Sequence, residues 1–276
     1  MKKYLRAIIF ATITLTTMGV ATIPALASLL ITPLHILIEG RERSSQVVIV
    51  NTGDHTSTYK VGWHQSEQVE GLGGFVDIEK EEGKLYLQDF AVFSPRQFTL
   101  EPNEKQTVRI AVRRPADLPE GEYKTHLRMA AQARPTKNEI VKNNKAKFGA
   151  QINYAYSIPV VYRVGDYDAQ IQLGTPTIET NQETQNLNII LPITRTGIHG
   201  ALSNVLIYHK PTGGEEYLIT RADGGSVYPE INSRNFKIPL NIKTLTPGQL
   251  RIVYVRAEGQ KDEYVKMAEK TINIQN

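Results

Sequence analysis

Leu118-Pro119-Glu120-Gly121-Glu122-Tyr123 places a Tyr two residues after a Gly, at the entry to a strand-like run from Lys124 to Met129. This is the spacing of a tyrosine corner, where a phenol reaches back to a backbone carbonyl at the corner of an immunoglobulin-like sandwich. Taken alone, the hexapeptide also fits a Tyr that only packs at a strand start. The surrounding pattern decides between the two.

Short β-rich runs recur on both sides: Ile36 to Ile38, Gln46 to Val50, Tyr59 to Trp63, Thr107 to Val112 and Ile158 to Tyr162. Most are bounded by Gly, Pro, Asn or Asp, and no stretch beyond the N-terminal leader keeps a helical apolar period for more than two turns. Turns such as Asn51-Thr52-Gly53-Asp54 and Glu101-Pro102-Asn103-Glu104 at this spacing favour antiparallel sandwiches over barrels. The length, 276 residues, suits two modest domains. An apolar strand stops at Arg163-Val164-Gly165-Asp166, which sets the boundary between residues 28–164 and 165–276. Val48 to His55 and Ile193 to His199 echo each other, each a strand, a Thr-Gly turn and the start of another strand, although common turn chemistry produces the same likeness. The expected fold is all-β, with two immunoglobulin-like β-sandwich domains in tandem.

Met1 to Arg6 are basic, Ala7 to Ile23 are apolar, and Pro24-Ala25-Leu26-Ala27 closes the segment with small residues, the pattern of a signal peptide over residues 1–27. A membrane-anchoring helix is the alternative, but the segment is marginal in length and rich in Thr. Removal of the leader leaves no membrane insertion and an exported chain without Cys, stabilised by packing alone. With Lys2, Lys3 and Arg6 set aside, the 32 basic residues fall by three against 28 acidic ones, leaving a net charge of +1. That removes the electrostatic case for a nucleic-acid partner, which needs a concentrated basic surface.

Signals for chemistry are at background. His35, His55, His64, His126, His199 and His209 form no metal-ligand spacing. No Gly-x-Ser-x-Gly elbow occurs, and Gly71-Leu72-Gly73-Gly74 lacks the Lys and helix of a phosphate loop. Glu81 and Glu82 read as solvated acids. No catalytic residue, metal site or cofactor is expected.

The informative stretch is Phe148-Gly149-Ala150-Gln151-Ile152-Asn153-Tyr154-Ala155-Tyr156-Ser157-Ile158, which follows a long polar loop, Ala131 to Lys147, carrying five Lys and Arg residues. With a side-chain period of two, Phe148, Ala150, Ile152, Tyr154, Tyr156 and Ile158 share one face. Such a strand is either the half-buried last strand of its own sandwich or an edge offered to another protein.

Thr32 to Asp54, Phe93-Ser94-Pro95-Arg96-Gln97-Phe98-Thr99-Leu100-Glu101-Pro102-Asn103-Glu104-Lys105-Gln106-Thr107-Val108-Arg109-Ile110, the Leu118 to Arg128 strand entry and Ile158-Pro159-Val160-Val161-Tyr162-Arg163 together resemble the periplasmic chaperones of chaperone-usher pilus assembly, as a divergent branch. The likeness covers most of Leu29 to Arg163; over Ala169 to Asn276 it rests on the Thr-Gly turn and on Ala222 to Pro229. It implies two immunoglobulin-like domains set as a boomerang, a periplasmic location, and no enzymatic activity. It implies pilus or fimbrial subunits and an outer-membrane usher as partners. The action implied is donor-strand complementation, in which an edge strand completes a subunit sandwich that lacks its own last strand. By the same likeness the inserted residues are Phe148, Ala150, Ile152 and Tyr154, while Tyr156 and Ile158 belong to the chaperone's own sandwich. Self-association of free molecules through the same edge is compatible with this arrangement.

The best-known members grip the subunit's terminal carboxylate with an Arg on the first strand and a Lys on the last. The matching positions here are His35 and Pro159, neither a permanent cation. An anchor therefore falls to other residues, with Arg96 and Arg109 as candidates, or is absent. Glu120 and Arg163 match positions of an interdomain ion pair. An exported two-domain scaffold or adhesive surface protein is the alternative reading, in which the alternating strand is paired on both sides.

Overall fold

The computed structural model describes residues 29–72, 74–132, 154–257 and 264–275. The leader, residue 73 and residues 133–153 lie outside them, and with these the predicted strand positions Phe148, Ala150 and Ile152. Among the described residues no helix is long and apolar enough to cross a membrane.

The first part of the chain forms β1 (Leu29–Thr32), β2 (Ile36–Ile38), β3 (Ser44–Asn51), β4 (Ser57–His64), β5 (Ser66–Gln68), β6 (Phe75–Asp77), a 3₁₀ turn at Leu87–Asp89, β7 (Ala91–Ser94), β8 (Gln97–Leu100), β9 (Lys105–Val112), β10 (Gly121–Ala131) and β11 (Ala155–Val164). These make two facing sheets, β1-β3-β9-β7 and β2-β11-β10-β4-β8, with β5 and β6 as a separate hairpin. Successive strands β3 and β4 belong to different sheets, as do β9 and β10, which is the connectivity of an immunoglobulin-like sandwich. Alternation drives it: in β9 Val108, Ile110 and Val112 are buried while Lys105, Arg109 and Ala111 face solvent. The inward residues of both sheets, among them Ile49, Tyr59, Leu127, Met129 and Tyr162, form one core.

Two strands change sheet in mid-course. The chain passes from β1 to β2 at Pro33 and from β7 to β8 at Pro95, both after cis peptide bonds. Proline has no N–H to continue a ladder, so pairing on one sheet stops there and resumes on the other.

Tyr123 completes the corner expected from the sequence: its hydroxyl donates to the Pro119 carbonyl at 3.1 Å, and its ring meets Phe90 edge-on. Tyr123→Phe removes only that bond and should cost about 1 kcal/mol or less, read as a lower urea midpoint at unchanged slope.

The second part comprises β12 (Gln170–Leu173), β13 (Thr177–Thr180), β14 (Leu187–Thr196), β15 (Ser203–Pro211), β16 (Tyr217–Asp223), β17 (Ser233–Pro239), β18 (Gly248–Ala257) and β19 (Tyr264–Ile274). One sheet sets β12, β13 and β17 around β14, and the other runs β16-β15-β18-β19. The echo in the sequence has a structural counterpart, because β14 and β15, like β3 and β4, cross between sheets at the Thr-Gly turn. Gly197 has φ +99°, and a Cβ there would lie 2.5 Å from the Asp168 carbonyl oxygen, so the close approach admits only Gly. Ile189, Leu191, Ile193, Val205, Ile207, Leu250, Ile252 and Tyr254 form a second, separate core.

Candidate partner-binding edge and interdomain cleft

β11 is paired unequally on its two sides. β10 accompanies it along its whole length, from Gly121 opposite Val164 to Ala130 opposite Ala155, and Ala131 N–H donates to the Tyr154 carbonyl at 2.9 Å. On the other side the parallel strand β2 reaches only Val160 to Tyr162. β2 begins only at Ile36, after the bend at Pro33 to His35, and β1 before the bend pairs in the other sheet. Among the described residues, Ala155 to Pro159 therefore have no strand on their outer side, leaving open hydrogen-bonding positions at a sheet edge.

The side chains of this edge follow the alternation seen in the sequence. Ile158, Val160, Tyr162 and Val164 are buried in the first core and Tyr156 packs partly against it, while Ala155 and Ser157 are exposed. Tyr154 is half-buried at the entry to β11. It shares the parity of Tyr156 and Ile158 and so continues their core-facing row by one step before β11.

The opposite face of the same sheet meets the second sandwich. Glu122, Lys124 and His126 of β10 and Pro159, Val161 and Arg163 of β11 carry the outward parity. Val161 and Leu37 pack on Leu202 and Tyr228 in a small apolar cluster between the sandwiches. Arg163 donates to Glu39 Oε2 at 2.8 Å, to Glu122 Oε2 at 3.2 Å and to the Gly200 carbonyl at 3.2 Å, and Glu122 Oε2 accepts the Gly200 N–H at 3.0 Å. The expected partner Glu120 is thus replaced by Glu122. Glu120 is exposed and precedes the strand, whereas Glu122 stands directly across the ladder from Arg163. Lys124 forms a nearly buried ion pair with Glu230 of the second sandwich. Burial pulls the Lys124 ammonium below its usual range, opposed mainly by the Glu230 carboxylate.

His126 sits beside Lys124, with its Nδ1 3.0 Å from Ser66 Oγ. Desolvation, and then the Lys124 cation and His64, push its pKa down from 6.5 to about 3. The folded chain keeps this imidazole neutral while the unfolded chain protonates it below about pH 6.5. Stability should accordingly fall by up to about 1.4 kcal/mol per pH unit between about pH 6.5 and 3. His126→Gln should flatten that acid limb, measured by urea unfolding across the window.

His35 lies in the bend between β1 and β2 and lines a cleft of about 440 Å³ with Leu34, Phe75, Arg221, Asp223, Arg234 and other residues. Burial lowers its pKa, opposed by Asp223, so it faces the cleft as a neutral imidazole near pH 7. Pro159 stands opposite His126 in the ladder, where the pairing with β2 has ended. Neither Arg96 nor Arg109 lines this cleft. Arg109 projects from the exposed face of β9, in the other sheet, and Arg96 stands over the Phe93 ring at a separate surface pocket with Trp63 and Arg113. The cations beside His35 are Arg221 and Arg234 of β16 and β17. Arg221 is paired with Asp223, while Arg234 donates to the carbonyls of Gly224, Ser226 and Leu72. Among the described residues no group of His, Cys, Asp or Glu could hold a metal ion.

The sequence pointed to neither the Lys124 to Glu230 pair nor Arg234. Glu122-x-Lys124-x-His126 reads as the polar, solvated face of a strand, and only the second sandwich turns it into an interface.

No protein-family model matches the chain, and no curated protein matches it. In fold, the chain is similar to one from the Acinetobacter baumannii CsuC–CsuE chaperone–tip adhesion subunit pre-assembly complex, with 17% identity over 87% of this chain and 98% of that one and a TM-score of 0.42. It is similar to the Pseudomonas aeruginosa CupB2 chaperone, with 12% identity, coverage of 88% and 98% and a TM-score of 0.42. It is also similar to a chain from the complex of Salmonella enterica SafA pilin with the SafB chaperone, with 12% identity, coverage of 91% and 98% and a TM-score of 0.43.

Proposed function

We propose that the chain is an exported, non-enzymatic periplasmic chaperone of fibre assembly, which lends the edge of β11 and the residues before it to an unfinished β-sandwich subunit and passes that subunit to an outer-membrane usher. Residues 28–164 are the strand-lending domain and 165–276 its companion. The observation that carries this reading is the edge at Ala155 to Pro159, without a neighbouring strand among the described residues and continuous with a core-facing apolar row. A subunit missing its last strand exposes unpaired backbone groups and core side chains, and such an edge satisfies both at once. Phe148, Ala150, Ile152 and Tyr154 are the inserted side chains. A subunit carboxylate entering beside His35 would meet Arg234 and Arg221 of the second sandwich, and not a basic residue of β2 or β11.

Hydrogen exchange tests the reading. In the free chain the outward amides between Ala155 and Pro159 should exchange fast, and in complex with a fibre subunit they should become protected together with residues 148–154. If those amides are already protected in the free chain, the strand is paired at home, and an exported scaffold or adhesive role is favoured instead.

A further inference from the structure

The β5–β6 hairpin rises from the first sandwich and ends on the second. Its base is tied to β10: Gln65 Nε2 donates to Thr125 Oγ1 at 3.0 Å, and Ser66 Oγ lies 3.0 Å from His126 Nδ1. Across the hairpin base, His64 Nε2 is 2.8 Å from Asp77 Oδ1. Further out, the backbone N–H and the side-chain amide of Gln68 turn to the second sandwich. Its backbone N–H donates to Glu230 Oε1 at 2.8 Å, its Nε2 to the Ser226 carbonyl at 3.1 Å, and its Oε1 accepts the Tyr228 N–H at 3.0 Å. The side-chain amide thus exchanges two hydrogen bonds with a backbone segment, as a strand partner would. Gln68 is buried, so these bonds are shielded from competing water.

The tip docks as well. β17 pairs with β14 on one side, and on its other side the Asn235 N–H donates to the Gly71 carbonyl at 2.6 Å, while Arg234 Nη2 donates to the Leu72 carbonyl at 3.2 Å. Phe75 stands edge-on to His126 of the first sandwich, at 5.3 Å between ring centroids, and to Tyr228 of the second, at 5.6 Å. The Lys124 ammonium lies 4.3 Å from the Tyr228 ring centroid and 5.3 Å from that of Phe75. The hairpin therefore covers the Lys124 to Glu230 pair, and Gln68 and Phe75 form one wall of the cleft that contains His35.

We infer that this hairpin is an interdomain clasp. It joins the sandwiches alongside the Arg163 network and the cluster around Val161, independently of the covalent link at Gly165, and it makes them unfold as one unit and sets the width of the cleft. The link around Gly165 is held at one end of the interface by His199, which meets the Val164 carbonyl at 3.1 Å and the Asp168 N–H at 3.0 Å. The hairpin holds the other end through backbone and side-chain bonds from Gln65 to Phe75, and domains tied at one point only remain free to reorient.

The test uses the full chain after removal of the leader. Wild type should melt in a single calorimetric transition. The double variant Gln68→Ala, Phe75→Ala should melt in two, with cleavage by a broad-specificity protease between Val164 and Asp168 at least tenfold faster. A double variant that is folded by circular dichroism yet keeps one transition and the wild-type cleavage rate overturns the inference. Glu70 of the hairpin and Ser233 of β17 meet at the surface, Ser233 Oγ lying 3.5 Å from Glu70 Oε1, and because the chain has no Cys, Glu70→Cys with Ser233→Cys gives a second, fold-preserving arm. A short thiol cross-linker should join the two within one chain and restore a single transition to the double variant; failure of the Glu70→Cys, Ser233→Cys chain, with Gln68 and Phe75 kept, to form that intramolecular link overturns it.

Discussion

Ile152→Asp or Tyr154→Asp should abolish the proposed subunit capture while leaving the chain folded. In the proposed complex each side chain fills a position in the subunit core, and burying an Ile or Tyr there contributes about 1.5–3 kcal/mol. A carboxylate loses that gain and adds the cost of an unpaired charge in an apolar groove. The sum exceeds about 3 kcal/mol, a drop in affinity of more than about 100-fold. Tyr154 precedes β11 and is not among the residues of the first core, so circular dichroism of the folded variants should be unchanged. Gln151→Asp, on the opposite parity, should be tolerated. Co-purification with a subunit reads all three, and retention of the subunit by folded Ile152→Asp and Tyr154→Asp variants would reject the strand-lending function.

Arg163→Ala should produce the largest loss of stability. The Arg163 side chain is 1% exposed and that of Glu122 is 0% exposed, and the two are joined with Gly200 of the second sandwich in one network. Removing the guanidinium leaves the buried Glu122 side chain without its partner, a change that costs about 3–5 kcal/mol. Glu39, about one-third exposed, is partly solvated and contributes less. Urea unfolding should show the loss. The pair Arg163→Ala, Glu122→Gln should recover part of it by removing the orphaned charge, and with the two single variants it closes a double-mutant cycle that reads their coupling. Additive losses would mean that the two side chains do not act as a pair.

Much of the first sandwich was legible because its strands alternate cleanly. Val47 and Ile49 in β3, Val108 and Ile110 in β9 and Ile158, Val160 and Tyr162 in β11 keep a period of two between turn residues, and a pattern of that period has one physical solution, a sheet with one face in a core. The corner at Tyr123 was readable for a similar reason, since its partner carbonyl is four residues away. The interface between the sandwiches was not. Lys124 and Glu230 are 106 residues apart, and Gln68 and Glu230 are 162 apart. Nothing local distinguishes a charged residue facing solvent from one facing a second domain. Glu120 and Glu122 share the same parity, so alternation alone does not choose between them as partner to Arg163. The choice is made by the ladder, which begins only at Gly121.

The two changes of sheet, at Pro33 and Pro95, have a mechanical corollary. Each side of the first sandwich is laced shut by a single continuous length of polypeptide, so prising its layers apart would load covalent bonds at both seams. A body stitched in this way can carry an open border along one sheet without its interior coming loose.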